Sequence, residues 1–356
     1  MEFSLFYFAA DGDAPPPDRY RLLLEGARFA DSHGFSALWI PERHFHRFGG
    51  LYPNPAVAAA AVATVTDRLA IRAGSVVAPL HHPLRIAEEW SMVDNLSGGR
   101  AGVSLAAGWN ETDFVLRPGA FDDRQRHLAE AADTLRGLWR GESLTGSYAD
   151  GRTAQYQVFP RPVQNEIPLW ITSGGTTETF RLAGRLRASV LTHLVRQDLA
   201  ALAEKTAAYR HALAATGTAW PGHVTLMLHS YLDQDPDTAR QRLREPLERY
   251  LSHSLDLTQS AVRRGAHGTD LTRTPDRHIR FLLRQARDRY LTGAGLFGTA
   301  EQARPMVEQA RAAGVDEIAC LIDFGVPVDH VLEGLEQLDR LRRLCAEPAD
   351  HPARPR

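Results

Sequence analysis

Two histidines and two arginines fall within the seven residues Pro41-Glu42-Arg43-His44-Phe45-His46-Arg47. An imidazole titrates near neutrality, so His44 could serve as a general base or hold a reactive intermediate by hydrogen bonding. A solvated basic loop would have the same composition, and both readings stand at this point. A second run is Pro79-Leu80-His81-His82-Pro83-Leu84-Arg85. Here His82 reads as a helix-start residue, with Pro83 in the first turn and Arg85 spaced to pair with Glu88 or Glu89. Adjacent histidines point apart on a helix or strand, and no acidic or cysteine partner follows at ligand spacing, so no metal is expected. A third run, Ala106-Ala107-Gly108-Trp109-Asn110, would let a planar group approach the backbone, with Trp109 to stack on it and Asn110 to hydrogen-bond it. A turn around a buried Trp reads equally well. A fourth, Ile171-Thr172-Ser173-Gly174-Gly175-Thr176-Thr177-Glu178, is a strand, a Gly-rich turn with hydroxyls and a helix start. Free N–H groups there suit a phosphate, or Ser173 or Thr176 simply caps the helix. The turn has neither the Gly-Lys-Ser/Thr of a P-loop nor Gly-x-Gly-x-x-Gly.

These four runs each follow an apolar stretch of strand length. Strands are expected at Phe3–Phe8, Ser36–Ile40, Leu69–Val77, Ala101–Ala106, Pro168–Thr172, Ala188–Leu194, His223–Leu232 and Glu317–Ile322. Helical periodicity fills the gaps: Tyr20, Leu23, Leu24, Ala27 and Ala30 share one face of a helix over 17–33, which Gly34 stops. Further helices are read over 55–65, 84–96, 122–140, 176–187, 198–214, 299–313 and 328–345. Eight βα units without a linker point to a closed parallel (β/α)₈ TIM barrel, an α/β fold, over a doubly wound open sheet. A barrel places its site at the C-terminal strand ends, where all four runs lie. Two insertions, at about 141–166 and 235–291, interrupt one domain spanning 1–346, and 347–356 forms a polar tail. The middle of the second insertion, 254–277, has weak periodicity and is expected to be mobile.

The bulk properties exclude several classes. The formal net charge of −2 over 356 residues argues against nucleic acid or an anionic membrane as partner. Cys320 and Cys345 are the only cysteines, too few for a disulfide framework, and a reducing cytosol is the simplest compartment. No segment approaches the ~18 apolar residues of a membrane span. The apolar N-terminus lacks a basic leader and reads as a first strand.

The order of short motifs resembles a known family. Glu42-Arg43-His44-Phe45, Pro53-Asn54-Pro55-Ala56, Gly74-Ser75-Val76-Val77, His82-Pro83-Leu84-Arg85-Ile86-Ala87-Glu88-Glu89, Leu96-Ser97-Gly98-Gly99-Arg100 and Gly108-Trp109-Asn110 occur in sequence. Together, over about residues 1–345, they look like the luciferase-like flavin-dependent monooxygenases, which include bacterial luciferase and alkanesulfonate monooxygenase. Asp113-Phe114-Val115-Leu116, Pro160-Arg161-Pro162-Val163-Gln164, Glu178-Thr179-Phe180-Arg181, Leu191-Thr192-His193-Leu194 and Val224-Thr225-Leu226-Met227-Leu228-His229 are similar to a natural-product-biosynthesis subgroup. Ending where the barrel ends, the chain would be a free-standing member.

The resemblance implies reduced FMN (FMNH₂) at the strand C-termini, O₂ as co-substrate and a flavin C4a-peroxide that the protein shields from water. It implies a homodimer and, since no dinucleotide fingerprint is present, a separate flavin reductase. The reaction would be hydroxylation of a biosynthetic intermediate, small or carrier-protein-bound. His44 matches the family's active-site histidine. Ser173, Gly174, Gly175, Thr176 and Thr177 match its phosphate loop. Val76, Val77, Ala107, Trp109 and Asn110 fall where flavin would lie, and Gly74–Val77 where the family often has a non-prolyl cis bond. Phe6, Phe8, Arg43, His46, Thr192 and His193 would line the substrate pocket, and 254–277 would act as a lid. One departure concerns the fourth strand, where luciferase has a basic residue for phosphate and this chain has Ala107. Phosphate binding would then rest on the loop, or on Arg196 or another arginine. The same fold also serves deazaflavin-dependent hydride transfer and some non-catalytic flavin-binding relatives.

Overall fold

The computed structural model describes residues 1–8, 18–195, 197–263 and 275–346. Strands and helices alternate from the start: β1 (Glu2–Phe6), α1 (Arg21–Ser32), β2 (Ala37–Ile40), α2 (Pro55–Ala63), β3 (Ala70–Val77), α3 (Pro83–Ser97), β4 (Ala101–Ala106) and α4 (Arg124–Arg140). A hairpin, β5 (Leu144–Ser147) and β6 (Thr153–Tyr156), follows. Then come β7 (Leu169–Ser173), α5 (Thr177–Arg185), β8 (Ser189–His193), α6 (Leu199–Ala214), β9 (Val224–Leu232), α7 (Pro236–Arg263) and α8 (Asp276–Gly293). The chain closes with β10 (Gly295–Gly298), α9 (Ala300–Ala312), β11 (Glu317–Leu321) and α10 (Val328–Ala346).

Eight strands pair in parallel around a ring, β9-β11-β1-β2-β3-β4-β7-β8, and the β8–β9 pairing closes it. The fold is the expected (β/α)₈ barrel. Its strands read as apolar runs because both faces are covered, helices outside and packed side chains within. Local signals set the joints. Asn54 caps α2 by accepting from the Ala56 and Val57 N–H groups. His82 caps α3 with Pro83 behind it, as its spacing predicts, and Arg85 pairs with Glu89 at 2.9 Å. Gly98, at φ +67°, ends α3 in the left-handed region.

Several boundaries differ from the expected ones. β1 ends at Phe6 and α1 begins at Arg21, after a turn that the periodicity of Tyr20 hid. β10 is an additional short strand on the upper half of β9, pairing Gly295–Gly298 with His229–Leu232. Four residues, two of them glycine, carry too little pattern to show as a strand. The 254–277 stretch, weak in periodicity, is helical up to Arg263 and again from Asp276. Residues 264–274, the centre of the suggested lid, lie outside the described residues.

The barrel interior is layered. At the floor, the buried Glu317 carboxylate accepts from Ser4, from Trp39 Nε1 at 3.1 Å, from Arg72 Nη1 at 2.8 Å and from Thr225 at 3.1 Å, and it meets His223 Nε2 at 3.0 Å. Above it, Phe6, Trp170, Leu191, Ala319 and Leu321 fill the middle. The C-terminal mouth is left for the loops.

Candidate active site

Three strands bring the chemistry to the mouth. β2 ends at Ile40, and two residues on, Glu42 is buried among three donors. Its Oε1 receives His44 Nε2 at 2.7 Å and His81 Nε2 at 2.6 Å, while Oε2 accepts the Val77 N–H at 2.7 Å. Val77 ends β3, where the Gly74–Ser75 peptide is cis. An ionised carboxylate only accepts, so it fixes both imidazoles with Nε2–H toward it. Each ring then presents Nδ1 as its remaining polar atom. Among the described residues neither Nδ1 has a partner.

Burial pushes the Glu42 carboxyl up, but the hydrogen bonds from His44, His81 and Val77 outweigh it and hold its pKa below the ordinary 4.5. Burial pushes the His81 imidazole down, but its hydrogen bond to Glu42 and that charge hold it above 6.5. The Glu42 share of stability is present above 4.5 and is lost as pH falls through its lower folded value. The His81 share is complete below 6.5 and is lost as pH rises through its raised folded value. The stability lost on His81→Gln is therefore expected to be largest between these ordinary values and to shrink as pH rises through the raised His81 value. Thermal unfolding of both proteins over that range checks it, and a pH-independent difference would refute the charged pair.

The acidic partner of His81 comes from a neighbouring strand, not from its own segment, which corrects the search along the chain alone. Glu42, His44 and His81 present ligand-type atoms within 4.8 Å of one another, as do Glu2, His223 and Glu317. The first trio makes direct contacts at 2.6 and 2.7 Å to a single oxygen. Those are charge-assisted hydrogen bonds, which direct the N–H groups at the carboxylate and so occupy its lone pairs.

Across the mouth, β7 runs into the Gly-rich turn. Ser173 Oγ accepts the Gly175 N–H at 3.2 Å, and Thr176 caps α5. A Cβ on Gly174 would meet nothing within 4 Å, so the turn is open above that residue. Gly175, at φ +106°, backs onto Gln197, whose Oε1 accepts from Lys205 Nζ at 2.8 Å. Lys205, on α6, is a cation that the sequence did not point to. Arg196 lies outside the described residues. Between the two sides, Ala107 is buried, and Gly108, at φ +80°, lies so close to Val77 that a Cβ would fall 2.8 Å from Cγ1.

Other expected residues are less free than supposed. Asn110 is buried, donates to Asp113 at 2.7 Å and accepts from Thr112, so it fixes its own turn. Thr192 donates to the Ser173 carbonyl at 3.0 Å and ties β8 to the turn. His46 accepts from the Phe48 N–H and reaches Asp256 of α7 at 3.4 Å. Phe6 packs in the middle layer and Val76 is buried on β3, whereas Phe8 stands at the mouth against Phe48 and Tyr250. His193, half-buried at the end of β8, accepts the Val195 N–H at 3.2 Å.

The sequence model described as luciferase-like monooxygenase matches residues 1–317. The chain belongs to the luciferase-like monooxygenase family. That membership makes it an oxidoreductase. Among its relatives, the oxygenase component of the flavin-dependent trigonelline monooxygenase of Acinetobacter baylyi is 29% identical over 180 residues, 49% of each chain. This family member thus matches about half that relative's length. The fold is that of monooxygenase RslO1 from Streptomyces bottropensis, at TM-score 0.77 and 22% identity over 96% of this chain and 98% of that one. An F420-dependent secondary alcohol dehydrogenase shares it too, at TM-score 0.71 and 16% identity over 98% and 99%. Among the described residues of this family member, no helix is long and apolar enough to cross a membrane.

Proposed function

We propose that the protein is the oxygenase component of a two-component, FMNH₂-dependent monooxygenase that hydroxylates a natural-product intermediate, free or carrier-bound. The observation that carries this reading is the buried Glu42 carboxylate holding His44 and His81 at the mouth of a barrel whose fifth strand ends in an open turn. The turn suits the FMN phosphate: Gly174 is uncrowded, α5 begins there, and Ser173, Thr176 and Thr177 bring hydroxyls. Val77, Ala107 and Gly108 offer a flat approach for the ring.

Reduced FMN supplies the electrons and the centre at which O₂ is activated. The chain supplies orientation, proton control and exclusion of water. Glu42 fixes the His44 tautomer, so Nδ1 is the atom that accepts or returns a proton at the reacting oxygen. His81 shares the same carboxylate and steadies its charge. Phe8, Phe48 and Tyr250 make an apolar wall that keeps water from the mouth. A separate reductase delivers FMNH₂, and the working form is a homodimer in the cytoplasm.

The test is anaerobic titration with FMNH₂ followed by mixing with O₂. Bound flavin is expected to reoxidise on a time course distinct from free flavin, with O₂ consumed. A chain that ignores FMNH₂ but binds reduced deazaflavin without consuming O₂ would be a hydride-transfer enzyme on the same fold. A chain that binds flavin and leaves its reoxidation unchanged would be a non-catalytic relative.

A further inference from the structure

The mouth contains a cation with no hydrogen-bonded partner among the described residues. Arg43 stands between Glu42 and His44, yet among the described residues its guanidinium makes no hydrogen bond or ion pair, and its buried Nε is unsatisfied. Its Cζ lies 5.4 Å from the Phe8 ring centre and 5.3 Å from that of Trp109. The two rings come from the ends of different strands, β1 and β4, so the guanidinium lies across the mouth between them. Rings over a guanidinium leave its edge as the place for a partner, and that edge carries the N–H donors. The nearby carboxylates make no hydrogen bond or ion pair with it, although the Asp113 charge acts on it from farther away. Glu42 already receives three donors, and Asp113 Oδ1 receives Asn110. The buried Nε–H without an acceptor is costly unless something completes it, and the partly buried Nη groups beside it share that edge.

Resting on the reading of this mouth as a substrate chamber, we propose that Arg43 is the recognition residue for an oxyanion on the substrate, held edge-on by the guanidinium between Phe8 and Trp109. The flavin phosphate is not that oxyanion, because its turn follows β7, three strands around the ring from β2. Two sources offer the required chemistry: a carboxylate on a free aromatic or aliphatic acid, and the phosphate of a pantetheine arm on a carrier protein. Both are planar or forked acceptors that a guanidinium binds through two parallel hydrogen bonds.

The experiment uses the full chain, with and without FMN, and calorimetric titration with four probes: benzoate, benzamide, pantetheine 4′-phosphate and pantetheine. One anionic probe is expected to bind at least tenfold more tightly than its neutral counterpart. Benzoate winning identifies a free acid, and pantetheine phosphate winning identifies a carrier arm. Arg43→Gln should erase the preference, and Arg43→Lys should keep part of it, both with unchanged circular dichroism. Equal binding of charged and neutral probes by the wild type would overturn the proposal. So would Arg43→Gln lowering FMN affinity while leaving the anion preference intact, since Arg43 would then serve the flavin. Oxygen consumption with FMNH₂, measured separately, distinguishes failure of this proposal from failure of the monooxygenase reading.

Discussion

Replacing His44 with Ala is expected to shorten by about 10²-fold the interval between loss of reduced flavin and release of hydrogen peroxide. The reason is positional. His44 Nε2 is committed to Glu42, and only Nδ1 remains to hold or move a proton at the mouth. On the proposed reading, the reacting oxygen would then lack its fixed partner, and water would reach it. Rapid mixing of the FMNH₂-loaded protein with O₂, followed by flavin absorbance and a peroxide assay, reads the interval directly. Glu42→Gln should give a smaller effect in the same direction, because the amide can accept from one imidazole but not orient both as an anion does. His44→Ala with wild-type timing and wild-type flavin affinity would remove His44 from the chemistry.

The barrel and the position of His44 were legible because both rest on local patterns. Apolar runs of strand length alternate with helical periodicity, and each chemical run follows a strand end. The Glu42 and His81 roles were not legible along the chain, since 39 residues separate them. The signal lay in register: β2 and β3 pair from Ala37↔Ala70 to Ile40↔Ala73, which brings residues just past both strand ends into one neighbourhood. Reading strand ends as a ring, not as a list in chain order, would have joined them. Asn110 and Thr192 show the opposite difficulty. Their types suit ligand binding, but the hydrogen bonds that commit them to turn and strand depend on three-dimensional neighbours. Lys205 sits on a helix face, where a cation ordinarily meets solvent, so nothing in its own segment marks it as backing the Gly-rich turn.

The floor of the barrel has the largest expected effect on stability. Glu317 is fully buried, and burial pushes its carboxyl up, but the Arg72 charge and the His223 hydrogen bond pull it far below the carboxylate range. Glu317→Leu removes the anion to which Arg72 is bonded and leaves the guanidinium against the Trp39 and Trp170 rings, at 5.0 and 4.5 Å. Breaking one side of a buried pair costs about 3–5 kcal/mol, a large share of the ~5–15 kcal/mol that holds a typical domain. Urea unfolding near neutral pH should show that loss. The double variant Glu317→Leu/Arg72→Met should recover much of it, because the uncompensated charge goes with its partner. Acid should shrink the difference. The depressed carboxylate contributes fully above its ordinary 4.5, and that contribution fades as pH falls through the lower folded value. Because this layer lies beneath Phe6 and Leu321, FMN affinity of the folded variant should stay within about twofold of wild type, as expected for distant, uncoupled sites. A single variant as stable as wild type would mean that Arg72 and His223 find other partners or water, and the polar floor would then be incidental to the barrel.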